Sequence, residues 1–105
     1  HGAYVLGERR FTRAISLFSQ LHDRTSVAQT LIERARLYMA RKTDAWKAHA
    51  DLHAAAQNIA AVQQRLAGGR TLPALTSEQV WRFYESKGLT QEAAIYRAQE
   101  MAVET

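Results

Sequence analysis

The sequence predicts an all-α fold, and three observations lead to that prediction. Apolar residues recur at intervals of three and four, as in the series Phe11, Ala14, Ile15 and Phe18, which is the spacing of one helix face. No stretch alternates apolar and polar residues over the length of a β-strand. Residues that begin or end helices divide the chain at short intervals, so we expect antiparallel helical hairpins with about five full helices and a truncated first one.

The boundaries of these helices follow from capping and stop residues. The hydroxyl of Thr25 or Ser26 can accept a hydrogen bond from the unpaired amides at a helix start. Thr43 and Asp44 offer similar caps at a turn, and the alanine-rich helix that follows ends at paired glycines, which can adopt the left-handed conformation. The first four predicted helices cover residues 3–8, 11–21, 26–42 and 45–67.

The last third of the chain contains the clearest helix start. Residues 76–79, with the sequence TSEQ, are typical of a capping box, in which the threonine and glutamine side chains each accept from the other's backbone amide. Gly88 ends that helix, and Thr90 caps a last helix over residues 91–103. The only proline, Pro73, marks the predicted loop between the alanine-rich helix and this final pair of helices.

The composition is that of one domain with a basic amino-terminal half. The chain has 105 residues, 47% of them hydrophobic, and it contains no cysteine, which excludes disulfides and thiolate metal sites. Residues 1–50 hold nine basic and four acidic side chains, and eleven of the fourteen cations in the whole chain are arginines. Because the arginine fork suits carboxylates and phosphates, this half predicts an acidic partner.

The sequence contains no segment suited to a membrane. No apolar run approaches the ~18–20 residues that a membrane span needs. The start of the chain lacks the basic and then apolar layout of a signal peptide. We therefore expect a cytoplasmic protein without a membrane partner, and we expect residues 1–105 to be one domain of a longer chain.

An internal repeat gives the most specific information about architecture. Ala14 has large residues three positions before it and four positions after it, and the same small-to-large spacing recurs at Ala48 and Leu52. Ala14 and Ala48 are 34 residues apart, and Ala94 is the best match in a third copy near the end of the chain. We expect all three alanines to be buried at close helix contacts.

This 34-residue helix-turn-helix period resembles the tetratricopeptide repeat, over most of the chain. The resemblance implies that the hairpins stack as a short right-handed superhelix, in which small residues stand where helices approach closely. The positions that look like the family pattern are Gly2, Phe11, Ala14, Phe18 and Leu21 in the first copy, Ala35, Met39, Ala48, Leu52 and Ala55 in the second, and Tyr84, Gly88, Ala94, Ala98 and Met101 in the third.

No motif in the sequence predicts catalysis or metal binding. His49 and His53 lie one helical turn apart, but Ala50 stands where a zinc-protease helix needs glutamate, and no third ligand is evident. The paired glycines follow a helix, whereas a phosphate-binding loop precedes one. The serines and threonines stand mainly at caps, without histidine and aspartate partners. We therefore expect no enzyme activity, no metal and no cofactor.

The stacking implied by the family predicts a groove for a peptide or a partner helix. In that family the first helix of each hairpin lines the concave face. An apolar residue flanked by polar or charged ones projects from each such helix here, at a spacing of one helical turn. We expect Leu37 and Phe83 to be partly exposed on the same face, and the predicted binding residues are Glu33, Arg34, Leu37, Arg41, Gln79, Phe83 and Lys87.

These observations favour a protein-interaction module, a scaffold or adaptor that binds a peptide or partner helix. Two alternatives stay open. One is a self-associating structural domain. The other is a nucleic-acid-binding domain that uses the basic half, with Arg9, Arg10, Arg13, Arg34, Arg36, Arg41, Lys42 and Lys47 as the contacting cations.

Overall fold

Five α-helices form the fold in a computed structural model that describes residues 2–66, 68 and 75–104, without the side chains of Lys42, Leu66 and residues 101–104. A single 3-10 turn, Lys42–Asp44, lies between the second and third helices, and the described residues contain no strand. The all-α prediction is therefore confirmed. The helices are α1 (Gly2–Gln20), α2 (Arg24–Met39), α3 (Ala45–Leu66), α4 (Ser77–Ser86) and α5 (Thr90–Glu104).

Helix α1 differs from the sequence prediction, which placed a short helix at residues 3–8 and a separate one at 11–21. The two are one continuous helix of 19 residues. Gly7 does not end it, since a single interior glycine costs only about 1 kcal/mol relative to alanine. A β-carbon built at Gly7 would lie 3.5 Å from a methyl carbon of Leu37, so α1 packs closely on α2 there.

The observed caps agree with the sequence at three helix ends and differ at two, since α5 begins at Thr90 itself, the residue predicted to cap it, and the carbonyl of Leu89 accepts from the amide of Ala93. The capping box of Thr76 and Gln79 is present at the start of α4, as predicted. Gly88 and Gly68 both have left-handed backbone, with φ of 77° and 76°, just beyond the ends of α4 and α3. The cap of α2 is Asp23, where we predicted Thr25 or Ser26. Its carboxylate accepts a hydrogen bond from the amide of Ser26 in the first turn, so Thr25 and Ser26 both lie inside the helix.

Helix α3 lies at the centre of the fold and contacts α2, α4 and α5. It runs antiparallel to α2, because Arg34 pairs with Asp51 while Arg24 contacts Asn58 farther along. The main core joins these four helices around Ala35, Tyr38, Ala48, Leu52, Ala56, Val80, Tyr84, Ala93 and Tyr96. A second, smaller core joins α2 and α3 at Val27, Ala28, Leu31 and Ala55, with Ile15 and Phe18 of α1 packed on its edge.

The three repeat alanines have three different environments. Ala48 is fully buried, as predicted, and Ala14 is only half-buried because α1 rests on the rest of the fold by one face. Ala94 is exposed, so its predicted burial is wrong. The buried alanine of α5 is its neighbour Ala93, because one residue turns the side chain by about 100° around a helix.

The predicted loop around Pro73 lies outside the described residues. In the part of the chain that the structure describes, no helix is long and apolar enough to cross a membrane.

We expect Ala48→Leu to destabilise the fold by about 1–3 kcal/mol, because the added atoms have no free space between α3 and its neighbours. The free energy of unfolding in urea measures this cost. Ala94→Leu is the matched control, with a change within about 0.5 kcal/mol, since Ala94 is exposed. Equal effects of the two substitutions would contradict the assigned register of α5.

Tyrosine burial predicts a loss of stability at alkaline pH. Burial raises the pKa of Tyr84, and burial together with a hydrogen bond to Asp44 raises the pKa of Tyr4 to about 12. The pKa of a tyrosine in the unfolded chain is about 10, so the native state keeps these protons at pH values where the unfolded state has lost them. The contribution of these tyrosines to the unfolding free energy is therefore constant below about pH 10, and it falls as the pH rises above that.

Urea titrations at pH 8, 10 and 11 test this expectation. The decline should be shallower in Tyr84→Phe, which removes one buried ionisable hydroxyl. The substitution itself should cost about 1 kcal/mol at pH 8, because that hydroxyl donates a hydrogen bond to the carbonyl of Leu52. A decline of unchanged steepness in the variant would show that Tyr84 does not contribute to it.

Candidate functional site

The predicted α2 row does not form an open groove wall, because its side chains bind α1 and α3. Arg34 holds Asp51 by two hydrogen bonds, from Nε at 2.8 Å and from Nη2 at 2.7 Å. Its remaining Nη1 donates to the hydroxyl of Thr12 at 3.0 Å. Arg34 therefore ties three helices together, and its pKa is raised, chiefly by the hydrogen bonds to Asp51.

The other members of this row follow the same pattern. Leu37 packs against Gly7, and the guanidinium of Arg41 lies 3.7 Å from the ring centroid of Tyr4. Of the predicted residues on α2, Glu33 is the one that is exposed without a described contact. Helix α1 thus covers most of the surface that the sequence assigned to a partner.

The contacts described for the predicted row on α4 lie within α4 itself and against the main core. Gln79 belongs to the capping box, and Phe83 lies edge-to-face on Tyr84 at 5.2 Å between ring centroids. The ammonium of Lys87 lies 5.7 Å from the Phe83 ring. Phe83 is half-buried against the main core, whereas Leu37 is half-buried under α1. The described contacts do not join the two rows into one surface.

The structure divides the basic half of the chain into cations with partners and cations without. Besides Arg34 and Arg41, Arg36 pairs with Glu92 at 3.0 Å and Lys47 lies 3.7 Å from Asp44. These pairs serve to join α2 to α5 and to stabilise the start of α3. Three predicted cations of α1 have no ion pair among the described residues and are exposed: Arg9, Arg10 and Arg13.

These free arginines lie beside exposed leucines on the side of α1 that faces away from α2. Leu6 and Leu17 are each 53% exposed, and α1 has no buried residue. The positions 6, 10, 13 and 17 follow one another at four, three and four residues, so they share one face over about 16 Å of helix. An open depression runs along it, and the described residues that line this depression belong to α1. We call this the outer α1 surface, defined as Leu6, Arg9, Arg10, Arg13 and Leu17.

Sequence reasoning missed this surface although its signal is present. The spacing from Leu6 to Leu17 is visible in the sequence, but the prediction ended one helix at residue 8 and began another at 11. That break separated Leu6 from the residues that share its face. Because α1 is continuous, the two leucines and the arginines between them form one stripe.

The two histidines of α3 join it to α5. His49 Nε2 lies 2.7 Å from a carboxylate oxygen of Glu100, and the His49 ring stacks on Tyr96 at 4.1 Å. His53 Nδ1 lies 2.8 Å from the Tyr96 hydroxyl. Among the residues with described side chains, no group of three histidine, cysteine or acidic residues could hold a metal ion.

Comparison with protein-family models, with curated proteins and with solved structures finds no match.

The division of the cations predicts unequal effects of substituting two arginines. Arg34→Gln should lower the free energy of unfolding by about 1–3 kcal/mol, because it leaves the buried carboxylate of Asp51 without its partner. Arg13→Gln should change it by less than about 0.5 kcal/mol, because Arg13 has no described partner. Chemical denaturation of the two variants checks this, and equal losses would contradict the assignment of Arg13 to a free surface.

Proposed function

We propose that this chain is a protein-interaction module that binds an acidic amphipathic helix of another protein on the outer α1 surface. The observation that carries the proposal is the single stripe on α1 in which Leu6 and Leu17 are exposed and the arginines between them are unpaired. Stacking of the hairpins in the manner of a tetratricopeptide repeat belongs to the same proposal. The buried Ala48 supports it, and the continuous α1 is a departure from the family pattern.

The leucines supply the apolar part of the argument. Helix α1 already packs on the second core through Ile15 and Phe18, whereas Leu6 and Leu17 belong to neither core. Single exposed leucines are ordinary, but here two of them share a stripe of about 16 Å, which matches three turns of a docked helix. Covering both would contribute about 1 kcal/mol each, since roughly half of each side chain is already buried.

The arginines indicate the charge of the partner. An unpaired guanidinium between two apolar anchors can form two parallel hydrogen bonds with a carboxylate, and its charge raises the rate of encounter with an acidic surface. A partner helix with leucines on one edge and glutamates beside them meets both requirements. This is the amphipathic-helix mode of recognition, with the docked helix lying along the open depression of the outer α1 surface.

The nucleic-acid alternative is weakened by the same geometry. Of its eight proposed cations, Arg34, Arg36 and Lys47 are held by acidic side chains and Arg41 stacks on a tyrosine. A phosphate backbone would also leave the exposed leucines without apolar contact. The three free arginines therefore fit a carboxylate-bearing helix better than a nucleic acid.

A fluorescently labelled 21-residue helix with a leucine seam flanked by glutamates tests the proposal by anisotropy. We expect saturable binding, and we expect the double substitution Leu6→Ser and Leu17→Ser to weaken it by about 2 kcal/mol, or about 30-fold. Arg10→Glu should slow association and reduce the dependence on salt. The double variant of the leucines should lose no more than about 1–2 kcal/mol of unfolding free energy, because about half of each side chain is exposed and neither leucine belongs to a core cluster.

Two matched controls locate the binding surface. Trp46→Ser removes an exposed apolar residue from α3, and Lys87→Glu reverses an exposed charge on the predicted α4 row. Neither should change the affinity, and loss of binding in Lys87→Glu would move the site to the α4 row. A peptide of the same composition in scrambled order should bind at least about ten-fold more weakly.

Three outcomes would overturn the proposal. One is equal binding of the designed and the scrambled peptide. A second is tighter binding of a 20-base-pair DNA duplex, with an affinity that falls about ten-fold or more between 50 and 200 mM salt, as release of counterions requires. A third is a dimer in sedimentation velocity that the leucine substitutions abolish, which would establish self-association through this surface.

A further inference from the structure

A second basic cluster lies at the far end of α1, where three segments of the chain meet around a cleft. The cleft has a volume of about 300 Å³ and a mostly polar lining. Ser19 comes from the end of α1, Arg24 and Asp23 from the start of α2, and Asn58 and Arg65 from α3. His22, in the turn between α1 and α2, completes the rim.

The two arginines of the cleft have no ion pair among the described side chains. A hydrogen bond orients the side chain of Arg24, because its Nη1 donates to the side-chain oxygen of Asn58 at 3.3 Å. That amide is in turn held by its own hydrogen bond from Nδ2 to the carbonyl of Ala54 at 2.8 Å. Asn58 therefore holds Arg24 on the same side of α3 as the cleft that Arg65 also lines.

Among the described residues that line the cleft, Asp23 is the one with a carboxylate, and this carboxylate caps α2. Asp23 accepts hydrogen bonds from the backbone amide of Ser26 at 3.1 Å and from its hydroxyl at 2.7 Å. These bonds lower the pKa of Asp23, so the group stays ionised while it caps α2. Its charge offsets only one of the two arginines, and the lining keeps a net positive charge.

We propose that this cleft binds the phosphate group of a small phosphomonoester, with Arg24 and Arg65 as the anion-binding side chains. Two guanidinium groups from different helices can contact one phosphate from two sides and offset both of its negative charges, which is more charge than a single surface arginine supplies. The volume of about 300 Å³ admits a phosphate group together with a short polyol. Ser19 and Asn58 then offer hydroxyl and amide groups to the polyol. The site is separate from the outer α1 surface and does not depend on the function proposed for that surface.

Titration of the ¹⁵N-labelled protein with glycerol 3-phosphate, followed by two-dimensional NMR, tests the proposal. We expect saturable shifts confined to the backbone amides of residues 19–26 and to the side-chain amide of Asn58. Inorganic phosphate should shift the same signals with a weaker affinity, and glycerol should not shift them. Phosphate binding as tight as that of glycerol 3-phosphate would overturn the assignment of the ligand class to phosphomonoesters.

Substitutions then assign the anion-binding groups. Arg24→Gln and Arg65→Gln should each weaken binding of glycerol 3-phosphate by about ten-fold, because each removes one charge-assisted contact. Both residues are exposed, and an unchanged pattern of signals from the two cores would confirm that the variants fold. Arg13→Gln, which removes a free arginine of the outer α1 surface, is the matched control and should leave the affinity unchanged.

The proposal is overturned by an affinity that is the same in Arg24→Gln and Arg65→Gln as in the unsubstituted protein. It is also overturned by shifts spread over every arginine-bearing face, which would show general attraction to a basic protein. Loss of binding in Arg13→Gln would likewise show general attraction to a basic protein. Failure here leaves the peptide experiment on the outer α1 surface unaffected, since the two sites share no residue.

Discussion

Close packing around α3 is the constraint on which the rest of the fold depends. Three alanines of this helix, at positions 48, 55 and 56, are fully buried together with Leu52. Small side chains let the backbones of neighbouring helices approach, and α3 accordingly contacts α2 on one side and α4 and α5 on the other. Since these contacts use most of the circumference of α3, α1 packs chiefly on α2. Helix α1 is left with one inward face and one free face.

Polar contacts fix the order in which the helices pack on this apolar framework. Arg34 binds Asp51 on α3 and Thr12 on α1, so one guanidinium sets the relative height of three helices. Arg36 and Glu92 connect α2 to α5. Both pairs have a buried carboxylate, that of Asp51 and that of Glu92, and removing the arginine would leave that charge without its partner. They also decide which arginines stay available to a partner.

The sequence predicts the local features of this protein better than its surfaces. The capping box at Thr76, the glycine stop at Gly88 and the burial of Ala48 depend on a few neighbouring residues, and each is confirmed. The prediction divided α1 although Gly7 costs too little to end a helix, and the packing of Leu37 on Gly7 that supports the continuous helix is a tertiary contact that the sequence does not reveal. Ala94 was assigned to the core by matching a pattern that Ala93 satisfies as well, and a difference of one residue reverses exposure on a helix.

The prediction of the groove shows a more general limit. Arginines that look available in a sequence become structural when a carboxylate far along the chain comes within reach, and Asp51, 17 positions after Arg34, gives no signal of this in the sequence. The same argument applies to Leu37, whose partner is a glycine with no side chain to suggest a contact.

A surface of this chain is thus free for a partner where no neighbouring helix packs on it. Helix α2 uses both its faces, against α1 and α3, whereas α1 uses one face, against α2. A helix docked on the outer α1 surface would therefore continue the layering of helices that the chain has already begun. In that arrangement the leucines would make apolar contacts with the docked helix like those in the core. The unpaired arginines would bind carboxylates of that helix, as Arg34 does between α2 and α3.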